Sequence, residues 1–420
     1  MGSGQISSHR VDKPSRLLRI HNVKESSKME TIKSTDQSAS QNYKELYKLA
    51  RPFIDADSHI EENEEVFRYI DKEYEHRRPT IIDIEGVIKH RPTRNKVWLV
   101  DGEIRPKLMG QNPSCYASPP TSDYAMSKPV SVSVQGLMDP DEYIECMQTI
   151  GLDVSVLYPT LMLHPMTRDP GFEEALARAY NSFMGERCGQ RPENLKWAAV
   201  LPMRNPDAAA REVRRAKSLG ASTCMVLSTV GDMPLHDRRF DIVYETLCLE
   251  NMPMSIHVGW PHDSLNDSLS SIPASLILHF EAGMLHSMFS VLAGGILDRF
   301  PELKVAFVEA GAVWLPTFLD RAEKWRKTPT AEVWLAEKSP MDYLRENQVF
   351  FTVEGDEPRL EEFVDLVGEN RILGSADFPH VHYEGGKLSE TFKDLVTHPG
   401  FSNQTKARFL GKNSLDFYRM

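Results

Sequence analysis

The chain has 420 residues, 41% hydrophobic and 26% charged, which is the composition of a folded globular protein rather than a collagenous, disulfide-scaffold or largely disordered one. Its 49 Lys and Arg against 60 Asp and Glu leave a formal charge of −11, which argues against a nucleic-acid partner because such binding needs a basic footprint. No uninterrupted run of about 18 apolar residues is present, so a membrane-spanning protein is not expected.

Residues 1–48 are Ser-rich and basic, with only the short apolar patch Leu17–Leu18–Arg19–Ile20, and are expected to form a disordered head. Residues 49–420 are expected to form one barrel domain. Its first strand is read in Arg51–Pro52–Phe53–Ile54–Asp55, leading into the polar loop Asp55–His59. Residues 70–145 then interrupt the pattern with Pro79, Pro92, Pro106, Pro113, Pro119, Pro120 and Pro129. This stretch reads as an insertion that caps the barrel mouth or serves subunit contacts.

Short apolar runs follow at Val154–Pro159, Trp197–Pro202, Cys224–Leu227, Met254–His257, Lys304–Val308, Val349–Val353 and Arg371–Gly374. Runs this apolar and unalternating belong to strands buried on both faces, as in parallel sheets. Between them, Phe172–Arg187 follows Pro170–Gly171, Pro206–Leu219 opens on proline and ends at Gly220, and Leu276–Leu297 is a long apolar helix. Eight strands alternating with helices predict an α/β protein, a distorted (β/α)8 TIM barrel with an insertion after the first strand. The rival, a doubly wound open sheet, lacks a glycine-rich phosphate turn.

Cys115, Cys146, Cys188, Cys224 and Cys248 are odd in number, scattered and without a CxxC pair. They read as reduced thiols of a cytoplasmic protein, not as a zinc knuckle or a disulfide framework.

Barrel enzymes keep their chemistry at the C-terminal ends of the strands. Those ends carry Asp57 and His59, then His257, Glu309 and Asp377. Carboxylates and imidazoles are ligands of divalent zinc, manganese or iron. Asp57 and His59 are two apart, so in extended backbone both side chains face one way and can reach one ion.

Several stretches resemble the amidohydrolase-related family, the metal-dependent group that includes the aminocarboxymuconate-semialdehyde decarboxylase type. They are Asp57–Ser58–His59, Leu152–Thr160, Ala179–Tyr180–Asn181, Ile256–His257–Val258–Gly259, Gly294–Val305, Glu309–Pro316 and Gly374–Ser375–Ala376–Asp377–Phe378–Pro379–His380. The resemblance covers about residues 50–420 and implies that Asp57, His59, His257 and Asp377 bind one or two divalent ions. It departs at Glu309, where the family's decarboxylases have a catalytic histidine. It also implies a small-molecule substrate and a homo-oligomer, expected as a dimer.

Three activities stay open at this level. With metal-activated water and Asp377 or Glu309 as the base, the site hydrolyses a C–N or C–O bond, with non-oxidative decarboxylation as its near neighbour. With Glu309 joining a second ion, it is a non-haem diiron oxygenase. Without chemistry, it is a binding protein on the same barrel. Strand four ends Leu201–Pro202–Met203–Arg204 with no lysine to bridge two zinc ions. Glu62 is expected to orient His59 or to face a helix N-terminus, and His380 to orient the site. Trp260 is expected either to floor the pocket or merely to pack, and Arg168 is a candidate to clamp a substrate carboxylate. His279 and His286 read as satisfied structural histidines, and His164 and His382 as less informative mouth or surface residues.

Overall fold

In the computed structural model, the structure describes residues 52–83, 96–105, 119–120, 130–266, 274–311, 313–328, 334–346, 349–380 and 391–420. The expected head, residues 1–48, lies outside them, as do Cys115, Pro92, Pro106, Pro113, Pro129 and His382.

Eight parallel strands form one sheet in chain order. They are β1 (Ile54–Ile60), β2 (Val154–Pro159), β3 (Leu195–Val200), β4 (Thr223–Leu227), β5 (Met254–His257), β6 (Val305–Val308), β7 (Val349–Val353) and β8 (Ile372–Gly374). Helices fill the connections, as the right-handed β-helix-β crossover requires. The chain is an eight-stranded α/β barrel, distorted where β8 meets β1. There the seam is held by the His59 N–H donating to the Phe378 carbonyl at 2.6 Å and by contacts of Asp55, instead of by a regular ladder.

Each strand sends alternate side chains to two cores. Ala306 and Val308 of β6 point into the barrel with Val154, Val156, Tyr158, Met225 and Leu373. Val305 and Phe307 of the same strand pack outward under the helices. On β1 the alternation changes phase. Ile54 and Ala56 face the barrel interior, yet Asp57 and His59 are the residues that reach the mouth. A register shift between Asp55 and Ser58 makes this possible, since a bulge turns the following side chains to the opposite face. Sequence reading placed Asp57–His59 in a loop after the strand; they lie within it.

The helix Pro170–Cys188 starts where Asp169 accepts the N–H groups of Gly171 and Phe172, and Pro206–Ser218 where Asn205 accepts that of Ala208. The long apolar helix is a broken one. A π-helical turn, Ser275–His279, leads into Phe280–Leu292, the chain bends at Gly295 with φ 75°, and a short turn Ile296–Arg299 follows. Over Leu276–Arg299 the mean hydropathy reaches 1.4, which by length and composition suffices to cross a membrane, contrary to the sequence-level expectation. Half of that window is buried within the protein itself. The C-terminal helix Asn413–Tyr418 plugs the opposite end of the barrel, where the Tyr418 hydroxyl donates to the Ala56 carbonyl at 2.9 Å and Lys304 holds the Asp416 carbonyl.

Within the expected insertion, Thr80–Asp83, Lys96–Val100 and Glu103–Arg105 form a small antiparallel sheet. The boundary at 145 cuts through the helix Pro140–Thr149, which belongs to the barrel: its Tyr143 hydroxyl donates to the His59 carbonyl at 3.2 Å.

Candidate metal centre

Asp57, His59, His257 and Glu309 offer ligand atoms that all lie within 4.8 Å of one another, and His59, Asp377 and His380 form a second such group sharing His59. His59 Nε2 lies 3.3 Å from Asp57 Oδ1 and 3.6 Å from Asp377 Oδ1, and His257 Nε2 lies 3.2 Å from the same Asp57 oxygen. Both imidazoles are turned by their other nitrogen. His59 Nδ1 sits 3.0 Å from the Pro159 carbonyl and His257 Nδ1 2.9 Å from that of Val258. A carbonyl only accepts, so each Nδ1 carries the proton and each Nε2 presents a lone pair to the carboxylate.

Lone pairs at such separations repel unless a cation lies between them. Two ligand atoms about 2.0–2.2 Å from one ion are typically about 3 Å apart. Asp57 Oδ2 and His59 Nε2 are also buried without a hydrogen-bond partner. Buried polar atoms are rarely left so. The set Asp57, His59 and His257, with Glu309 in reach and Asp377 3.6 Å from His59, therefore fits a divalent ion.

Burial raises the Asp57 pKa, but the adjoining His257 and His59 outweigh it and hold the group down at about 2. Burial, with the nearby His380, lowers His59 to about 4, so it stays neutral and available as a ligand. Glu309 lies with Oε2 4.0 Å from His257 Nδ1. Burial and the charges of Asp377, Asp57 and Glu354 push its carboxyl well above the usual range. Glu309 and Asp377 both sit in left-handed backbone, at φ 54° and 48°. Such conformations cost roughly 1–3 kcal/mol in non-glycine residues and persist where surrounding structure fixes them. At Glu309 the fixing contact is its N–H donating to Thr352 Oγ1 at 2.8 Å.

The remaining expected residues separate. His380 is brought to the centre: its ring stacks on His59 with centroids 4.2 Å apart, Nδ1 lies 3.1 Å from Asp377 Oδ1 and Nε2 2.8 Å from Thr160 Oγ1. Glu62 does not touch His59. Its carboxylate accepts the N–H groups of Thr160, Leu161 and Met162, a helical-turn N-terminus, and reaches His59 only through Thr160. Trp260 stacks flat on His164 at 4.1 Å and packs with the barrel-interior cluster that holds Tyr158, Met225 and Val308. Arg168 is exposed on the loop after β2. His279 is fully buried with neither ring nitrogen hydrogen-bonded, so it is no satisfied core histidine, and it neighbours His262.

Sequence reasoning missed two carboxylates. Glu354 follows β7 and is pushed up to about 9 by burial and by Asp377, Asp356 and Asp57. The strand-end rule could have found it. Asp55 accepts the N–H groups of Asp57, Ala376 and Phe378 and the Ser58 hydroxyl. Nothing in the sequence marks a mid-strand aspartate for that task. The loop after His257 also needs Gly259: a Cβ there would come within 2.5 Å of the Leu163 carbonyl oxygen and 2.9 Å of Leu227 Cδ2.

An eight-stranded parallel barrel with these donors at its C-terminal strand ends defines a metal-dependent barrel enzyme. A family model described as Amidohydrolase matches residues 139–420, and the chain belongs to that family. Among curated proteins it is 25% identical over 284 residues to a 2-amino-3-carboxymuconate-6-semialdehyde decarboxylase of Dictyostelium discoideum, covering 66% of this chain and 76% of that one. It is 24% identical over 260 residues to a gamma-resorcylate decarboxylase of a Polaromonas species, covering 57% and 76%. Among solved structures, an amidohydrolase of Mycobacterium avium subsp. paratuberculosis superposes with a TM-score of 0.70 at 20% identity over 87% of this chain and 97% of that one. A 5-carboxyvanillate decarboxylase of Novosphingobium aromaticivorans, complexed with manganese and a hydroxymethoxynitrobenzoic acid, superposes with a TM-score of 0.64 at 18% identity over 89% and 97%. These likenesses establish the barrel.

Proposed function

We propose that the chain catalyses the metal-dependent, non-oxidative decarboxylation of a small organic acid. The observation that carries this reading is the meeting of Asp57, His59 and His257 at 3.2–3.3 Å with lone pairs facing. The similarity to curated decarboxylases supports it. A divalent ion, when bound, supplies a Lewis acid that anchors the substrate's carboxylate and draws charge from the reacting carbon. Asp57, His59, His257 and Asp377 hold the ion, and His380 and Thr160 fix Asp377 and His59.

Loss of carbon dioxide breaks a C–C bond and leaves the electron pair on carbon, which must then take a proton. Glu309 is the group to give it. Burial and the neighbouring carboxylates favour its protonated form, and in that form a glutamate here would do the work of an acid in place of the histidine expected from the resemblance. Water restores the proton to Glu309 after the product leaves. Hydrolysis of a C–N or C–O bond is the second reading, and it needs Glu309 or Glu354 as a base in the deprotonated form that their surroundings disfavour. A diiron oxygenase gains no support from these relatives and is set aside.

We propose manganese as the first metal to test, since a structural neighbour was solved with it. The protein should retain about one ion per chain. It should release carbon dioxide from 2,6-dihydroxybenzoate or 5-carboxyvanillate analogues only when loaded. Full metal content with hydrolysis of an ester or amide panel and no carbon dioxide from any carboxylic acid would replace this reading with the second. We further propose a homodimer in the cytoplasm, in keeping with cysteines that are free among the described residues; sizing chromatography and cell fractionation test both.

A further inference from the structure

The proposed metal donors come from the ends of β1, β5 and β8, with Glu309 after β6, and leave the other half of the mouth unused. That half holds a cavity of about 80 Å³, walled by residues that follow β2, β3, β4 and β5 and by one helix. Met162, Met166, Met203 and Met225 give it a soft apolar lining that adapts to the shape of a guest. Two nitrogens break this lining. His164 Nε2 and Arg204 Nε are both buried and make no hydrogen bond. His164 is only 5% exposed. Arg204 Nε can only donate and has Glu173 Oε1 at 3.5 Å as its ion-pair partner, and His164 Nε2 donates in one of its two neutral tautomers. A buried donor without a hydrogen bond costs about 1–3 kcal/mol, so an acceptor from outside the chain suits both.

The charge balance narrows the acceptor. Arg204 Nε lies 3.5 Å from Glu173 Oε1, and the Arg204 backbone N–H donates to Glu173 Oε2 at 2.9 Å. The guanidinium is already matched, and a second carboxylate would stand as a surplus charge among methionines. An uncharged oxygen meets both donors without that penalty. Size narrows it further, since whole-ligand pockets run to about 300–1,000 Å³ and this one has room for a few heavy atoms only.

We propose that this cavity receives the arm of the substrate remote from its reacting carboxyl, a short apolar group ending in a neutral oxygen acceptor, a ketone or an ether. The placement of the reacting end rests on the decarboxylase reading above. The chemistry of the cavity does not.

The test is saturation-transfer NMR on the manganese-loaded full chain with butanone and, separately, butyrate as probes. Butanone is expected to bind with a Kd of ~1–10 mM, as befits so small a ligand, and at least about tenfold more tightly than butyrate. Met203→Trp, which fills the cavity, should abolish that binding with metal content unchanged. Arg204→Met should weaken it ~5-fold, the size of one neutral hydrogen bond. If Arg204→Met does not fold, His164→Phe keeps the ring that stacks on Trp260 and reads the same interaction. Butyrate binding as tightly as butanone overturns the neutral acceptor. Absence of butanone binding up to 50 mM, or binding that survives Met203→Trp, overturns the cavity as an arm site. None of these readouts needs turnover, so failure here and failure of the decarboxylase reading are told apart.

Discussion

Asp55 accepts the backbone N–H groups of Ala376 at 2.9 Å and Phe378 at 3.4 Å, the residues on either side of Asp377. One buried carboxylate on the first strand thus grips the turn that presents the carboxylate of Asp377, a proposed metal ligand, after the last strand. It does so at the one seam of the barrel that lacks a regular ladder. Fold closure and site assembly are here the same set of hydrogen bonds.

Asp55→Ala is expected to lower stability by about 1–3 kcal/mol, because it leaves buried N–H groups without an acceptor. It should also weaken manganese binding about tenfold by freeing the Asp377 turn. Urea unfolding of the metal-free protein and a metal titration read the two effects separately. Loss of stability with unchanged metal affinity would confine Asp55 to closing the barrel.

His257→Ala removes a donor that faces Asp57 at 3.2 Å. The variant should stay folded by circular dichroism and lose metal affinity by at least ~100-fold, more than the loss usual for an outer partner of a ligand. Full manganese content after dialysis would show that β5 contributes no ligand.

Glu309→Gln keeps the shape of the side chain and removes its acid. Turnover should fall by about 10²–10⁴, the usual contribution of a positioned proton donor, while the bound metal stays at its wild-type level. Unchanged turnover would make Glu309 a packing group, and loss of the metal would make it a ligand.

Acid should remove what two buried neutral histidines contribute to the stability of the metal-free protein. Burial, aided by Arg105 and His279, holds His164 down at about 3, and burial with His380 holds His59 at about 4, against an ordinary 6.5. Below pH 6.5 the unfolded chain takes up protons that the folded chain refuses. The contribution of these two groups is therefore complete above pH 6.5 and falls as the pH drops toward 3 or 4. Between pH 6.5 and 4, His164 alone accounts for a loss on the order of 3 kcal/mol. Buried carboxyls held high, Glu309 and Glu354 among them, contribute with the opposite sign, so the difference is what is read. Urea midpoints of the wild type should lose more on acidification across that range than those of His164→Phe. A slope identical in the variant would place the titration elsewhere.

The sequence by itself determined the strands and most of the donors. Met254–His257 and Val349–Val353 match the expected runs to the residue, because strands buried on both faces must be apolar throughout and therefore announce themselves. Asp57, His59, His257, Glu309 and Asp377 were legible because barrel chemistry sits where such runs stop. Tertiary structure alone decided the rest. The bulge that turns Asp57 and His59 inward depends on how β1 registers against β2, and no local pattern records a register. The grip of Asp55 on residues more than three hundred positions away, and the diversion of Glu62 to the turn at Thr160–Met162, are contacts between segments that only the closed barrel brings together. Propensity and spacing act along the chain, whereas a coordination sphere is assembled across it.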